Sequence, residues 1–145
     1  MTIREIRTED LERCSDLYSR VFSGPPWSEA WNEANAYNRL NHFYRSEGFI
    51  GFLAEDEDVS GFVLGNLEPF LDGSWFYLRE MCVDTKLQNQ GVGTNLMSVL
   101  IDCLKLKDVK SIYLATEREI PAAAFYKKNG FIQEDKMEFY CRSVK

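Results

Sequence analysis

Two segments near the N-terminus carry apolar residues at helical spacing. After a short strand in residues 2–8, Thr8 is expected to cap a first helix, and one face of that helix is apolar at Leu11, Cys14, Leu17, Tyr18, Val21 and Phe22. Two consecutive prolines then end the helix, because proline lacks the N–H that a helix needs. Ser28 and Glu29 predict the start of a second helix, which runs through Leu40 to Tyr44.

The rest of the chain alternates strand-sized apolar runs with two further helices. The segment at residues 74–84 is largely apolar on both faces, which is typical of a strand covered on two sides. A helix follows it, and a last helix begins at Pro121 and ends at Gly130. The other expected strands are residues 48–56, 59–68, 110–116, 131–135 and 136–143.

This order of elements predicts an α/β fold of the α+β kind. The strand, helix and strand within residues 74–116 form a parallel βαβ unit, and the other strands favour antiparallel hairpins. We therefore expect a mixed, mostly antiparallel central sheet of about seven strands with helices on both faces. With 145 residues and no linker, residues 1–145 are expected to form a single domain.

Composition narrows the range of partners. The formal net charge of −6 opposes a nucleic-acid partner, because that binding depends on Lys and Arg neutralising phosphates. No apolar run approaches the roughly 18 residues that a membrane helix needs, so we expect no membrane partner and a cytoplasmic location. The four cysteines lie far apart in apolar stretches, which predicts reduced core residues rather than disulfides or metal ligands.

The glycine loop, residues 88–94 (QNQGVGT), joins the strand at 74–84 to the next helix. Such a turn presents unpaired backbone N–H groups at the positive end of the helix dipole, which suits a phosphate. No lysine follows Gly93, which excludes a P-loop, and Leu96 stands where a dinucleotide fingerprint needs a third glycine. A pyrophosphate held by backbone alone and a plain tight turn remain as alternatives.

Two motifs resemble those of one superfamily. The stretch EMCVDTKLQNQGVGTNLM, which starts at Glu80, is similar to the signature of the GNAT superfamily, the acyl-coenzyme-A-dependent N-acyltransferases. The stretch AAAFYKKNGF, which starts at Ala122, resembles the second signature of the same superfamily at the expected distance downstream. Both lie in order on the predicted strands and helices, and the resemblance covers nearly the whole chain.

The resemblance implies a binding site for coenzyme A. Backbone amides of the glycine loop would hold the pyrophosphate, at Gln88, Asn89, Gln90, Gly91, Val92, Gly93 and Thr94. The end of the central strand would pair with the pantetheine arm as an added strand does, at Met81, Cys82 and Val83. The superfamily exposes that strand edge by splaying it from the next strand through a bulge.

The second motif implies the acid that protonates the departing thiolate. Tyr126 matches the tyrosine near the coenzyme sulfur, and Phe125 beside it joins the coenzyme-binding set. An aromatic residue at helical spacing also favours a core position, which stays open as the alternative. Glu119 departs from the pattern, because the superfamily often carries asparagine at that position.

Acyl transfer to an amine needs a base, and Glu80 is the candidate, directly or through a water. Strand alternation places Glu80 on the face of Leu78 and Cys82 unless a bulge reverses the parity, and burial there would raise the pKa of its carboxyl toward working pH. The alternative is a structural ion pair between Glu80 and Arg79 or another nearby cation. Cys82 has no histidine near it in sequence, which favours core packing over a nucleophilic role.

The segment between the first two helices is the candidate acceptor wall. Trp27, Glu29, Trp31 and Glu33 would attract an ammonium group by charge and by cation-π contact. The two tryptophans would equally serve to staple the helices together. The run PPWSEAW also looks like that of GNAT proteins of the aminoglycoside acetyltransferase-like kind.

These observations predict an N-acetyltransferase that moves an acetyl group from acetyl-coenzyme A to a primary amine of a small cationic molecule in a ternary complex. No metal is expected, and the C-terminal strands would support a homodimer. Two alternatives stay open. The acceptor would instead be a peptide N-terminus or a protein lysine, or the chain would be a sensor that binds acyl-coenzyme A without turnover.

Overall fold

The computed structural model describes all 145 residues, which form two compact units, Met1–Ala115 and Thr116–Lys145. That the chain forms a single domain stays a prediction. The first unit contains β1 (Thr2–Glu5), α1 (Leu11–Ser23), α2 (Glu33–Tyr44), β2 (Phe49–Glu55), β3 (Val59–Phe70), β4 (Gly73–Val83), α3 (Val92–Leu106) and β5 (Val109–Tyr113). The second unit contains α4 (Pro121–Lys128). None of the helices is both long enough and apolar enough to cross a membrane.

The sheet is mixed and mostly antiparallel, as predicted. Its five strands lie in the order in which they occur along the chain. The pairs from β1 to β4 are antiparallel, and β4 pairs with β5 in parallel. The strand expected at residues 110–116 is therefore present as β5, and the crossover from β4 to β5 passes through α3.

Helices cover both faces of the sheet. Phe62 on β3 is buried in the core that α1 and α2 form with the sheet. The preceding position along β3 points the other way, because a Cβ at Gly61 would meet the side chain of Leu96 on α3. The central strands are consequently buried on two sides, and this explains their apolar sequence.

Both N-terminal helices begin later than the sequence predicts. Thr8 does not cap α1 but lies in a short 3₁₀ turn, Thr8–Asp10, that precedes it. Helix α2 begins at Glu33 and not near Ser28, which has a positive φ of 47°. The reason is the cap: the Asn32 side chain accepts the Asn35 N–H at 2.9 Å, and the Asn35 side chain accepts the Asn32 N–H at 2.7 Å.

The C-terminal segment, residues 131–145, contains no strand, so the expected pair at 131–135 and 136–143 is wrong. A strand needs a neighbouring edge to bond with, and here the apolar side chains are instead exposed at Ile132, Met137, Phe139, Tyr140 and Val144. This accounts for five strands instead of about seven. Cys141 is exposed too, which contradicts its expected core position, whereas Cys14 and Cys82 are buried as expected and Cys103 is partly buried.

Candidate active site

Strands β4 and β5 separate halfway along β4. Their parallel pairing runs from Ser74 to Tyr77 on β4 and ends at Tyr113 on β5. Beyond Tyr77, β4 continues to Val83 while bonded to β3 on its other side. The backbone of Met81, Cys82 and Val83 thus has an edge that is not paired with β5, as addition of an extended ligand requires.

A bulge at Arg79 reverses the faces of β4. Leu64 on β3 lies opposite Glu80, but the next residue, Gly65, lies opposite Leu78, so Arg79 is the extra residue. Because directly opposed residues share a face, Glu80 lies on the face of Leu64 and Leu78 on the other. The expectation that Glu80 shares a face with Leu78 is therefore wrong.

The part of that expectation concerning Cys82 is confirmed. Cys82 lies opposite Phe62, and both belong to the core beneath α1 and α2. The Cys82 side chain is buried, and burial raises the pKa of its thiol well above the ordinary value. A thiol that stays protonated is a poor nucleophile, so the structure favours core packing for this side chain.

The Glu80 carboxylate is buried and held from two helices. Its side chain is 10% exposed. Tyr18 of α1 donates its hydroxyl to Oε1 at 3.1 Å, and Arg39 of α2 donates Nε–H to the same oxygen at 2.5 Å. Burial raises the pKa of Glu80 above its usual range, and the attraction of Arg39 opposes that rise.

The cation that pairs with Glu80 is Arg39 and not Arg79, its neighbour in the sequence. The Arg79 guanidinium instead stacks on Tyr77, with 3.9 Å between Cζ and the ring centroid, and lies 5.4 Å from the ring of Phe43. Sequence reasoning missed Arg39, and it interpreted Tyr18 only as a core residue. The one available signal was the hydroxyl of Tyr18, since a buried tyrosine usually needs a partner for that group.

The glycine loop ends at an uncapped helix. Gly91 is the residue before α3 and has a φ of +87°, a conformation that favours glycine, and no side chain caps the first amides. The first turn of α3 carries no acidic residue. The predicted anion site around Gly91, Val92, Gly93 and Thr94 thus carries no protein carboxylate in its first turn, and backbone amides at a helix start are donors of the kind that bind anions.

The polar side chains before the glycines bond back to the loop itself. Gln88 donates its amide to the Val83 carbonyl at 3.2 Å, and Gln90 donates to the Lys86 carbonyl at 3.1 Å. Asn89, between them, has a positive φ of 64°, which asparagine tolerates. These contacts of exposed side chains tie the loop to the end of β4 and to its own backbone.

The candidate acceptor wall connects in part to Glu80. The ring of Trp31 meets Tyr18 edge-on at 5.0 Å between centroids, and its Nε1–H bonds to Glu29 at 3.0 Å. The Trp27 ring packs on Phe22 of α1 at 4.7 Å. Both tryptophans are partly buried against the core, as the helix-stapling alternative predicts. Glu33 is exposed in the first turn of α2.

The remaining site residues lie in the second unit. Tyr126 and Phe125 are half-buried on α4, with 5.4 Å between their ring centroids, and the ring of Tyr126 lies 5.5 Å from that of Phe131. Glu119 precedes the helix with a positive φ of 62°. Asparagine is enriched in this conformation, which gives the departure at position 119 a local energetic cost.

Comparisons with known proteins agree with this fold. The model of the Acetyltransferase (GNAT) family matches residues 11–131. Similar solved structures include a transcriptional regulator from Bacillus halodurans C-125, with 18% identity, a TM-score of 0.78 and 99% of both chains covered.

Two other similar structures are aminoglycoside acetyltransferases. One, meta-AAC0020 from an uncultured soil metagenomic sample, was solved with sisomicin; it has 18% identity and a TM-score of 0.77, and the match covers 99% of this chain and 96% of that one. The other, AAC(6')-Iy, was solved with the bisubstrate analogue CoA-S-monomethyl-acetylneamine; it has 16% identity, a TM-score of 0.75 and coverage of 99% and 98%. At identities this low, the structural similarity establishes a shared fold and nothing further.

Proposed function

The chain belongs to the GNAT family of acetyltransferases, and on that premise we propose that it transfers an acetyl group from acetyl-coenzyme A to a primary amine of a small cationic molecule. The observation that carries the proposal is the placement of Glu80. A buried carboxylate with a raised pKa stands on β4 just past the point where β5 leaves it. A carboxylate with a raised pKa takes up a proton more readily than an ordinary glutamate does.

In this proposal the residues of the first unit bind the coenzyme and deprotonate the amine. The uncapped amides at the start of α3 hold the pyrophosphate of the coenzyme, and the free edge at Met81, Cys82 and Val83 bonds to its pantetheine arm. Bound there, the coenzyme supplies an activated acetyl thioester. Glu80 takes the proton from the ammonium, directly or through a water, so that the neutral amine forms the new C–N bond.

The motif that contains Tyr126 implies the acid that completes the reaction. As the C–S bond breaks, the sulfur leaves as a thiolate, and Tyr126 donates its phenolic proton to it. Phe125 would contribute apolar surface to the coenzyme site. No enzyme nucleophile is required, because two substrates held side by side gain much of the rate from positioning.

Two observations support a cationic acceptor. Glu29 and the ring of Trp31 lie in one cluster with Tyr18, the residue that bonds to Glu80, so negative charge and an aromatic face adjoin the proposed base. Trp27 and Glu33 would extend this wall. Fold similarity to enzymes solved with sisomicin and with an acetylneamine analogue also supports an aminoglycoside-like amine.

The experiment that tests the proposal is a mass-spectrometric screen of the purified chain. Acetyl-coenzyme A is mixed with aminoglycosides, polyamines, amino acids and peptides, and the products are read as added acetyl groups. We expect one polycationic small amine to be modified rapidly. Acetylation of peptides alone would support the peptide or lysine alternative, and coenzyme binding without any product would support the sensor.

We also propose that two copies associate through the C-terminal segment. Its exposed apolar side chains, Met137, Phe139 and Tyr140 among them, are the kind of surface that association buries. Light scattering of the intact chain should give the mass of a dimer, and Phe139→Asp with Tyr140→Asp should give a monomer. A monomeric wild-type chain at micromolar concentration would exclude this assembly.

A further inference from the structure

Arg39 is the cation closest to the proposed base, although it comes from another element. Its Nε lies 2.5 Å from Glu80 Oε1, and its guanidinium carbon lies 5.0 Å from the ring of Phe43 and 6.0 Å from that of Trp31. The two rings hold the planar group by cation-π contact. Its side chain is 44% exposed, so Arg39 stands at the rim while Glu80 lies inside.

Tyr18 bonds to the same oxygen that Arg39 uses. Its hydroxyl reaches Glu80 Oε1 from α1, and its ring is held edge-on by Trp31 and at 4.6 Å by Phe22. Neither bond uses Oε2. Two donors that converge on one carboxylate oxygen leave the second oxygen to meet a proton donor from outside the protein.

We propose that Arg39, assisted by Tyr18, is a positioning residue for the base: it holds the Glu80 carboxylate charged, with Oε1 occupied and Oε2 left for the amine proton. This inference rests on the role proposed above for Glu80. Helix α2 would thus contribute two residues here: Arg39 bonds to the carboxylate, and Phe43, which is part of the core, supports the guanidinium of Arg39.

Other groups around Glu80 do not replace Arg39. Glu29, in the segment before α2, is a second negative charge and disfavours ionisation of Glu80. On β4 itself, Arg79 is engaged with Tyr77 and the Cys82 thiol is buried, and on β3 the opposed residue is the apolar Leu64. Arg39 is therefore the one cation that is bonded to this carboxylate.

The test compares Arg39→Gln with the wild type in two measurements. The first is the titration midpoint of the Glu80 side-chain carboxyl by carbon-13 NMR, assigned with Glu80→Gln. The second is the acid limb of the pH profile of kcat/KM for the best amine. Loss of the guanidinium should move both upward by about one pH unit, because an opposite charge at this distance lowers a carboxyl pKa by roughly 1 to 3 units.

Three further variants sharpen the test. Arg39→Lys keeps the positive charge without the planar guanidinium and should shift the midpoint less. This variant also serves as the test if Arg39→Gln folds poorly. Tyr18→Phe keeps the ring contacts and should give a smaller upward shift. Arg45→Gln is the matched control at the C-terminal end of α2, because the Arg45 side chain bonds only to Asn41 of that helix, and it should shift neither measurement.

The outcomes separate this inference from the proposed function. An unchanged Glu80 midpoint in Arg39→Gln overturns the inference, whatever the activity. A midpoint that moves while the acid limb stays fixed removes Glu80 as the base, and the inference with it. If the screen finds no acetylated amine at all, the proposed function fails, and the NMR midpoint alone still decides whether Arg39 controls the charge of Glu80.

Discussion

Two buried carboxylates in this chain have opposite electrostatic environments. The side chain of Asp10, beside β1 and α1, is 2% exposed. It accepts two bonds from Arg4 at 2.8 Å, one from Arg13 at 3.1 Å and the Arg7 N–H at 2.7 Å. These donors hold the pKa of Asp10 well below its usual range, with the bond from Arg4 as the largest cause. Glu80, at 10% exposure, has two donors and a raised pKa.

The difference shows that burial and hydrogen-bond donors together decide what a carboxylate can do: loss of hydration is the largest cause of the pKa shift at Glu80, and the bond from Arg4 is the largest cause at Asp10. Both groups lose hydration on folding, which favours the neutral acid. At Asp10 four hydrogen bonds on both oxygens outweigh that loss, and the carboxylate is a permanent structural charge. At Glu80 two bonds on one oxygen do not outweigh it, and the carboxylate remains ready to take a proton.

The largest expected effect is on turnover. Glu80→Gln removes the proposed base and should lower kcat about 100- to 1000-fold, while affinity for the coenzyme changes little. Steady-state kinetics and coenzyme titration would measure the two effects. Glu68→Gln is a control on the neighbouring strand, since Glu68 bonds to Tyr113 away from the proposed base. Unchanged turnover of Glu80→Gln at every pH would end its role as the base.

The next effect is on stability. Asp10→Asn removes the buried charge between Arg4 and Arg13, which keep only Glu55 as a shared partner, and should lower the free energy of unfolding by about 2 to 3 kcal/mol. Urea unfolding measures the loss. Asp16→Asn breaks an exposed pair with Arg20 and should cost less than about 1 kcal/mol. Equal losses in the two variants would mean that burial at Asp10 contributes nothing beyond a surface pair.

The pH dependence of stability should have opposite signs at the two sites. The pKa of Asp10 is lowered on folding, so its contribution is present at neutral pH and is lost as pH falls below about 4. The pKa of Glu80 is raised above 4.5, so its ionisation costs stability as pH rises from 4.5 through the folded pKa.

Melting temperatures between pH 3 and 8 test both signs. In Asp10→Asn the melting temperature should fall less steeply than in the wild type as pH decreases below about 4. The melting temperature of Glu80→Gln relative to the wild type should increase as pH rises above 4.5, because the variant has no charge to bury. A difference that is constant across this range would mean that Glu80 titrates in the folded chain as it does when unfolded.

The smallest effect concerns the exposed carboxylates. Replacing Glu29 and Glu33 together with Gln should raise KM about threefold for a polycationic amine, because exposed charges contribute roughly 1 kcal/mol or less and are screened by salt. kcat should be nearly unchanged, and the effect should shrink in high salt. A monoamine serves as the control substrate. No change in KM for the polycation would remove both carboxylates from the acceptor site.

Much of the fold followed from local pattern. The apolar runs predicted β2 to β5, and Pro121 with Gly130 correctly bracketed α4. The predicted C-terminal strands were wrong because their alternation describes a preference for pairing, while an actual strand needs an edge to pair with. The start of α2 was missed because the reciprocal cap of Asn32 and Asn35 competed with the weaker signal at Ser28.

The sequence by itself determined the family and the glycine loop before α3 and made Glu80 the candidate base, because each depends on residues that are close together in the chain. Only the tertiary structure decided what surrounds Glu80. Its partners Arg39 and Tyr18 are 41 and 62 residues away, and the bulge that turns it toward them shifts the register of β4 by one residue. Contacts between distant residues and a one-residue shift in pairing leave no periodic trace in a single sequence.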